Sequence, residues 1–278
     1  MRIFLTGGTG FIGSHFLREA MDAGHEIVAQ RRSGSVSRLI LKSEPQWVDR
    51  PLDSNFKDVL EGCDAVVHLA SHTPNPPYAP LTDCIYWNVF APIKLMTQAV
   101  DCGIKSFLIA GSCFEYGESA EDIDFIEVTT LLKPNLSYPT SKAAASMAFE
   151  GFARQEKIFL KILRIFQVYG EGEDSKRLWP SLKRAAFAGE DFSMSPGEQV
   201  RDFINVIDVA KQFVFHLSNM ETLTGGSPQV VNIGSGNPCT LKEFSLHWWK
   251  FWGAQGQINF GDVDYRNSEI MRLVPKII

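Results

Sequence analysis

The chain has 278 residues, 45% of them apolar and 21% charged, with a formal net charge of −5. That is material for one large domain or two fused lobes around a sizeable core, with the balance of an ordinary globular protein. The acidic charge excludes a broad basic surface for nucleic acid, and no apolar run approaches the roughly 20 residues that span a bilayer.

Arg2-Ile3-Phe4-Leu5 is an apolar run of strand length at the very start, so no secretory leader is expected. Cys63, Cys84, Cys102, Cys113 and Cys239 form no CxxC pair and no metal-ligand spacing. An odd, scattered set of this kind fits free thiols in a reducing compartment, so a cytoplasmic protein without a structural metal is expected. After the first strand comes Thr6-Gly7-Gly8-Thr9-Gly10-Phe11-Ile12-Gly13, and an amphipathic pattern opens at Phe11 with Phe16 and Leu17. Strand, glycine loop and helix in that order describe a dinucleotide site. Gly7 supplies the tight turn, Gly10 admits a pyrophosphate, and Gly13 lets helix and strand pack closely. The N–H groups of the first helical turn then face the phosphates.

The second strand is Glu26-Ile27-Val28-Ala29-Gln30, and the chain continues Gln30-Arg31-Arg32-Ser33. An NAD-preferring site places Asp or Glu here, on the adenosine ribose; a guanidinium instead pairs with the 2′-phosphate of NADP. Arg31 and Arg32 therefore favour NADP(H), with NAD(H) as the alternative. Gln46-Trp47-Val48 is a short third strand, Phe56 to Leu60 a helix, and Asp64 to Ala70 a buried fourth strand. His68 within that run is expected to be a packed, hydrogen-bonded side chain. Four prolines between Pro74 and Pro80 forbid helix and strand alike. The resulting stiff loop leaves the carboxyl end of a strand, where open α/β sheets bind ligands, and this places Thr73 near the substrate.

From Leu81 to Cys102 the apolar spacing is helical, with Pro92 inside it. Proline removes an N–H, so a kink with an exposed Asn88 carbonyl is expected there. Lys105 to Ala110 is the fifth strand, and Gly111-Ser112-Cys113-Phe114 turns out of its end. Ser137-Tyr138-Pro139-Thr140-Ser141-Lys142 starts a helix running to about Glu156, with Tyr138 and Lys142 on one face. Phe159 to Ile165 is a sixth strand. Alternating strands and helices predict an α/β fold with a parallel, doubly wound sheet. Beyond Gln167 the regularity weakens. Helices are expected at Leu178–Ala188, Val209–Leu217 and Leu241–Trp252, with strands at Asp202–Ile204 and Val230–Ile233. The expected division is a Rossmann-type domain over 1–166 and a smaller mixed α/β substrate lobe over 167–278, with about 203–233 returning to the first domain.

Ser112, Tyr138 and Lys142 are the residue types of a proton-transfer site. A phenol is a poor acid-base group at neutral pH unless a neighbouring cation favours its anion, and Lys142 stands one helical turn away. Together with the glycine loop, these residues make the chain similar to the extended short-chain dehydrogenase/reductases, which include NAD(P)-dependent nucleotide-sugar epimerases, dehydratases and reductases. The likeness also runs through His68-Leu69-Ala70, Asn88-Val89, Leu163-Arg164-Ile165-Phe166-Gln167-Val168-Tyr169-Gly170, Gly197 to Phe203 and Asn232 to Gly236.

The resemblance implies Tyr138 as acid/base, Lys142 as its modulator and Ser112 as oxygen clamp; Asn88 joins the catalytic set through its open carbonyl, expected to hold a water that re-protonates Tyr138. It implies a cofactor held by Gly7, Thr9, Gly10, Phe11, Ile12, Leu69 and Ala70 with Tyr138 and Lys142. It also implies a nucleotide-sugar substrate near Thr73, Ser112 and Gln167, with Arg201 on the diphosphate. Helices around 82–102 and 139–156 usually pair as a four-helix bundle in such proteins, so a homodimer is expected.

The departures narrow this. The family's 4,6-dehydratases carry Asp-Glu after the catalytic Ser/Thr, where this chain has Cys113 and Phe114. Asp49-Arg50-Pro51-Leu52-Asp53 lacks the usual Gly-Asp-Leu, and Gln167 replaces a common Asn; many relatives continue with further helix beyond the point matching Ile278, so a partly abbreviated substrate lobe is an expectation. The expected function is NADPH-dependent reduction of a 4-keto-6-deoxy nucleotide sugar. The alternatives are an epimerase with tightly bound NAD and a non-catalytic cofactor sensor, the latter disfavoured by the intact Ser-Tyr-Lys set.

Overall fold

The computed structural model describes residues 1–121, 123–266 and 269–277. The first half runs β1 (Arg2–Thr6), α1 (Phe11–Asp22), β2 (Glu26–Arg31), β3 (Gln46–Asp49), α2 (Lys57–Leu60) and β4 (Ala65–His68). Then come α3 (Leu81–Ile85), a π-helical turn (Tyr86–Phe90), α4 (Ala91–Asp101), β5 (Ser106–Ser112), α5 (Ser137–Glu156) and β6 (Phe159–Ile165). The remainder is β7 (Gln167–Tyr169), α6 (Leu178–Ala188), β8 (Phe192–Met194), β9 (Val200–Asn205), α7 (Val206–Ser218) and β10 (Gln229–Ile233). It ends with β11 (Pro238–Thr240), α8 (Leu241–Phe251), β12 (Ile258–Phe260) and β13 (Arg272–Leu273).

Seven strands form one parallel sheet in the order β10-β6-β5-β4-β1-β2-β3, the Rossmann-type arrangement. The period-two alternation of β1 sorts its side chains between two layers. Ile3 and Leu5 pack with Phe16 and Leu17 of α1 and with Val209 and Phe213 of α7. Phe4 faces the other way, into the layer of Phe56, Leu60, Leu95 and Phe149. The chain reverses direction across the sheet between β1 and β4, and this switch point opens a crevice at their carboxyl ends. Segments 206–218 and 229–233 join this sheet: α7 packs on α1, and β10 pairs with β6.

Outside that sheet lie a second one, β11-β9-β13 with β7 also on β9, and a separate pair β8-β12. Leu182, Ala185 and Ala186 of α6 meet Trp249 of α8 beneath it. Of its strands only β9 is legible as a pattern, since the others have two or three residues and no room for alternation. Two boundaries differ from expectation. The fourth strand stops at His68, where Leu69 N–H bonds Thr6 O at 3.1 Å and the chain turns into the proline loop. The fifth strand runs to Ser112 because β6 continues beside it to Ile165. Among the described residues no helix is long and apolar enough to cross a membrane.

Candidate active site

Gly7 has φ +77°, and a Cβ built there would lie 2.5 Å from Ala70 N and 2.6 Å from the Leu69 carbonyl carbon. Only glycine lets β1 turn this tightly against the residues leaving β4. The Gly10 N–H closes the turn on Gly7 O at 2.9 Å. A Cβ at Gly13 would overlap the Gly7 carbonyl oxygen, so the third glycine seats the helix on its own loop rather than on the strand. Thr9 lies in this turn, and Phe11 and Ile12 open α1, whose N-cap Gly10 has no side-chain cap. The uncapped first-turn N–H groups and the cradle against Leu69 and Ala70 suit a dinucleotide pyrophosphate.

At the end of β2 the two arginines part company. Arg31 pairs with Asp49 of β3 at 2.9 and 3.3 Å and lies over the Trp47 ring at 4.7 Å. Arg32 is exposed and has no ion-pair partner among the described residues. Of the pair, Arg32 is the cation available to an added anion.

Ser112 ends β5, and Tyr138 and Lys142 stand one turn apart near the start of α5, all three buried. Burial pushes the Tyr138 phenol well above its ordinary value, against the side chains of Ser71 and Ser112, which favour its anion. Burial likewise pulls the Lys142 ammonium down, against the carboxylate of Glu115, which raises it. The Lys142 Nζ donates to Ala110 O at 2.7 Å. His68 is packed beside them, its Nδ1 sharing a 2.7 Å hydrogen bond with Thr6 Oγ1, and burial pulls its imidazole down to about 3, which leaves it neutral at neutral pH.

The Pro92 kink takes the form of the π-helical turn, and Asn88 within it is buried, not exposed. Its amide accepts from His72 N–H at 2.7 Å and donates to Ser141 Oγ at 2.9 Å, and Ser141 donates to Tyr138 O at 2.8 Å. Asn88 thereby ties the proline loop to the backbone of Tyr138. The Thr73 hydroxyl is used inside the loop, accepting from Ala79 N–H at 3.3 Å. Tyr78 is the residue that the loop brings to the site, its ring 5.4 Å from that of Tyr138. Gln167 opens β7, half-buried and level with Phe203 of β9. Arg201 is buried with its guanidinium directed at the end of the chain: Glu269 Oε1 at 2.8 Å and Ile270 O at 2.6 Å. Arg177, by contrast, reaches Asn75 of the proline loop at 3.3 Å.

Residues 3–234 match the family model described as the NAD dependent epimerase/dehydratase family. The chain belongs to that family. It is an enzyme. It is 24% identical to a UDP-glucose 4-epimerase of Corynebacterium glutamicum, over 87% of this chain and 78% of the relative. It is also 24% identical to a dTDP-6-deoxy-L-talose 4-dehydrogenase (NAD(+)) of Aggregatibacter actinomycetemcomitans, over 87% of each. Among solved structures, MoeE5 in complex with UDP-glucuronic acid and NAD superposes with a TM-score of 0.84 at 26% identity, covering 100% of this chain and 90% of that one.

Within this epimerase/dehydratase-family site, several residues escaped the sequence reading. Ser71 and Tyr78 carry no local signal, because only the folded loop brings them to Tyr138. Glu115 did carry one. Ser112 and Glu115 have the S-x-x-E spacing of a capping box, and both its hydrogen bonds form: Phe114 N–H to Ser112 Oγ at 3.3 Å and Ser112 N–H to Glu115 Oε1 at 2.7 Å. Arg164, a charge in an apolar strand, is its partner at 2.9 Å.

Proposed function

We propose that this enzyme reduces the 4-keto group of a nucleotide-linked 6-deoxy sugar, with NADPH as the hydride source. The observation that carries the reading is Cys113. It occupies the position beside Ser112 where elimination needs a carboxyl group, and burial pushes its thiol up to about 12. Such a thiol neither gives nor takes a proton at neutral pH. The site then has one proton-transfer group, Tyr138, which suffices for carbonyl reduction and falls short of dehydration.

The nicotinamide cofactor, when bound, supplies the hydride. Gly7, Thr9, Gly10, Phe11, Ile12, Leu69 and Ala70 hold its pyrophosphate end, and Lys142 meets its ribose. Ser112 holds the keto oxygen, and burial keeps the Tyr138 phenol protonated until charge develops on that oxygen. Lys142 then stabilises the phenolate. Thr73 supports the proline loop while Tyr78 faces the sugar beside Gln167. Arg177 and Arg201 both lie close enough to Cys113 to act on its charge, which makes the region beside it attractive to a diphosphate. Arg177 receives that diphosphate, and Arg201 braces the segment behind it. The likeness to a 4-dehydrogenase of a 6-deoxy nucleotide sugar supports both the position and the substrate class.

The second reading is an epimerase that keeps NAD bound. The Arg31–Asp49 pair favours it, since a carboxylate then lies at the end of the sheet where the adenosine ribose is expected. The 4-epimerase relative and the NAD named with MoeE5 support it too. Reduced-nicotinamide consumption with a 4-keto-6-deoxy nucleotide sugar decides between the two. Stoichiometric turnover of NADPH supports the reductase; stoichiometric NAD in the purified protein, with no consumption, supports the epimerase.

The homodimer belongs to the same proposal. Tyr86 and Phe90 of the π-helical turn and Met147 of α5 are exposed apolar side chains on the two helices expected to pair. Light scattering at micromolar concentration should give twice the chain mass, and a single-chain mass would refute it.

A further inference from the structure

No β4 residue pairs with β5 beyond Ile109, yet β5 continues to Ser112. Two side chains take up the backbone there. Lys142 Nζ donates to Ala110 O at 2.7 Å, and Glu115 Oε1 accepts the Ser112 N–H at 2.7 Å. Ala110 and Ser112 are two residues apart, so these groups lie on one edge of the strand. The Glu115 side chain is 0% exposed. Its other oxygen accepts from Ser146 Oγ at 2.7 Å and from Arg164 Nε at 2.9 Å. Ser146 follows Tyr138 and Lys142 at four-residue spacing, so the carboxylate grips the face of α5 that carries both.

We propose that Glu115 is a positioning residue: it fixes the span between Ser112 and the Tyr138–Lys142 face of α5, and supplies the negative charge that keeps Lys142 protonated. A buried ammonium bonded only to a carbonyl loses its proton readily, because burial disfavours the charged form. The groups around Lys142 leave few alternatives. His68 from β4 is neutral, Tyr138 from the same helix is a protonated phenol, and Arg164, behind Glu115, is itself a cation. Burial lowers Lys142 and Glu115 is the charge that raises it. Tyr116 closes the network, accepting from Arg164 Nη1 at 3.1 Å and donating to Asn232 Oδ1 at 2.7 Å.

The charge role is tested without substrate. With lysine labelled at Cε, the Lys142 resonance is assigned by its loss in Lys142→Met and titrated by NMR. Glu115→Gln keeps an acceptor for the Ser112 N–H and removes the charge. Its Lys142 midpoint should fall by about one pH unit. Glu115→Asp keeps the charge but shortens the reach, so its midpoint should stay near wild type while turnover falls. An unchanged midpoint in Glu115→Gln overturns the proposal. Should that variant fail to fold around an uncompensated Arg164, the double variant Glu115→Gln, Arg164→Met is titrated against Arg164→Met alone, under the same criterion. The proposal shares with the functional reading the contact between Lys142 and the cofactor, and NADPH titration across pH separates them. A midpoint shift without a matching shift in NADPH affinity would count against that contact and leave Glu115 in its role.

Discussion

The carboxyl ends of β1 and β5 lie in one sheet with only β4 between them, yet they are built from different materials. At β1 the working parts are backbone: a positive-φ turn, an uncapped helix start and two glycines that a Cβ would obstruct. At β5 they are buried side chains bonded to one another and to the strand's backbone: Glu115 to Arg164 and to the Ser112 N–H, and Lys142 to Ala110 O. A backbone cradle has one arrangement and fails by steric obstruction. A side-chain site holds its charges by mutual bonds, so a single substitution can leave geometry intact and change chemistry.

The largest expected effect is at β5. Tyr138→Phe keeps the ring that packs near Tyr78 and removes the transferable proton. Turnover should fall by about 10²- to 10⁴-fold with cofactor affinity near wild type, as read by steady-state kinetics and cofactor titration. Lys142→Met should weaken both. Equal loss of cofactor binding in the two variants would mean that Tyr138 is structural and would erase the contrast.

Gly7→Ala tests the backbone side. The left-handed conformation alone costs a side chain about 1–2 kcal/mol, and overlap with Ala70 adds about 1–3 more, because a backbone neighbour has no rotamer to move. Both Tm and cofactor affinity should drop. Wild-type values of both would show that the turn is not sterically set.

Arg32→Ala probes the boundary between the two materials. If Arg32 meets the 2′-phosphate, its loss should weaken NADPH by roughly ten- to a hundredfold and leave NADH unchanged, whereas Arg31→Ala should do less, since Asp49 already neutralises it. Tighter NADH than NADPH in wild type would refute the preference outright.

The smallest effect concerns Glu173, whose carboxyl burial pushes up to about 7 from an ordinary 4.5 despite Arg177 at 3.3 Å. The raised value means that the folded state holds the proton more tightly than the unfolded chain does. Stability from this group is therefore present below about 4.5 and lost as pH rises to about 7. Glu173→Gln should gain on wild type across that window and run parallel above it in denaturant titrations. A constant difference at all pH values would place Glu173 in water.

The glycine loop, the strand alternation and the Tyr138–Lys142 spacing were legible because each is local: their meaning lies within one turn or one strand. Arg31 and Arg32 looked equivalent for the same reason. Only the pairing of β2 with β3 brings Asp49 to one of them and not the other. The partners of Arg201 were likewise out of view, since the strand Arg272–Leu273 adds to β9 and carries Glu269 and Ile270 to its guanidinium.

By itself, then, the order of residues determined that this chain makes a parallel sheet with a glycine-built turn after its first strand and a Ser-Tyr-Lys set at its carboxyl edge, because periodicity and glycine placement act over a few residues. Which charges are free was decided by the tertiary structure. Long-range strand pairing chose the partner of each arginine, the proline loop brought Tyr78 and Ser71 to Tyr138, and burial set the proton affinities of Tyr138, Lys142 and Cys113. Those are properties of an environment assembled from segments far apart in the chain.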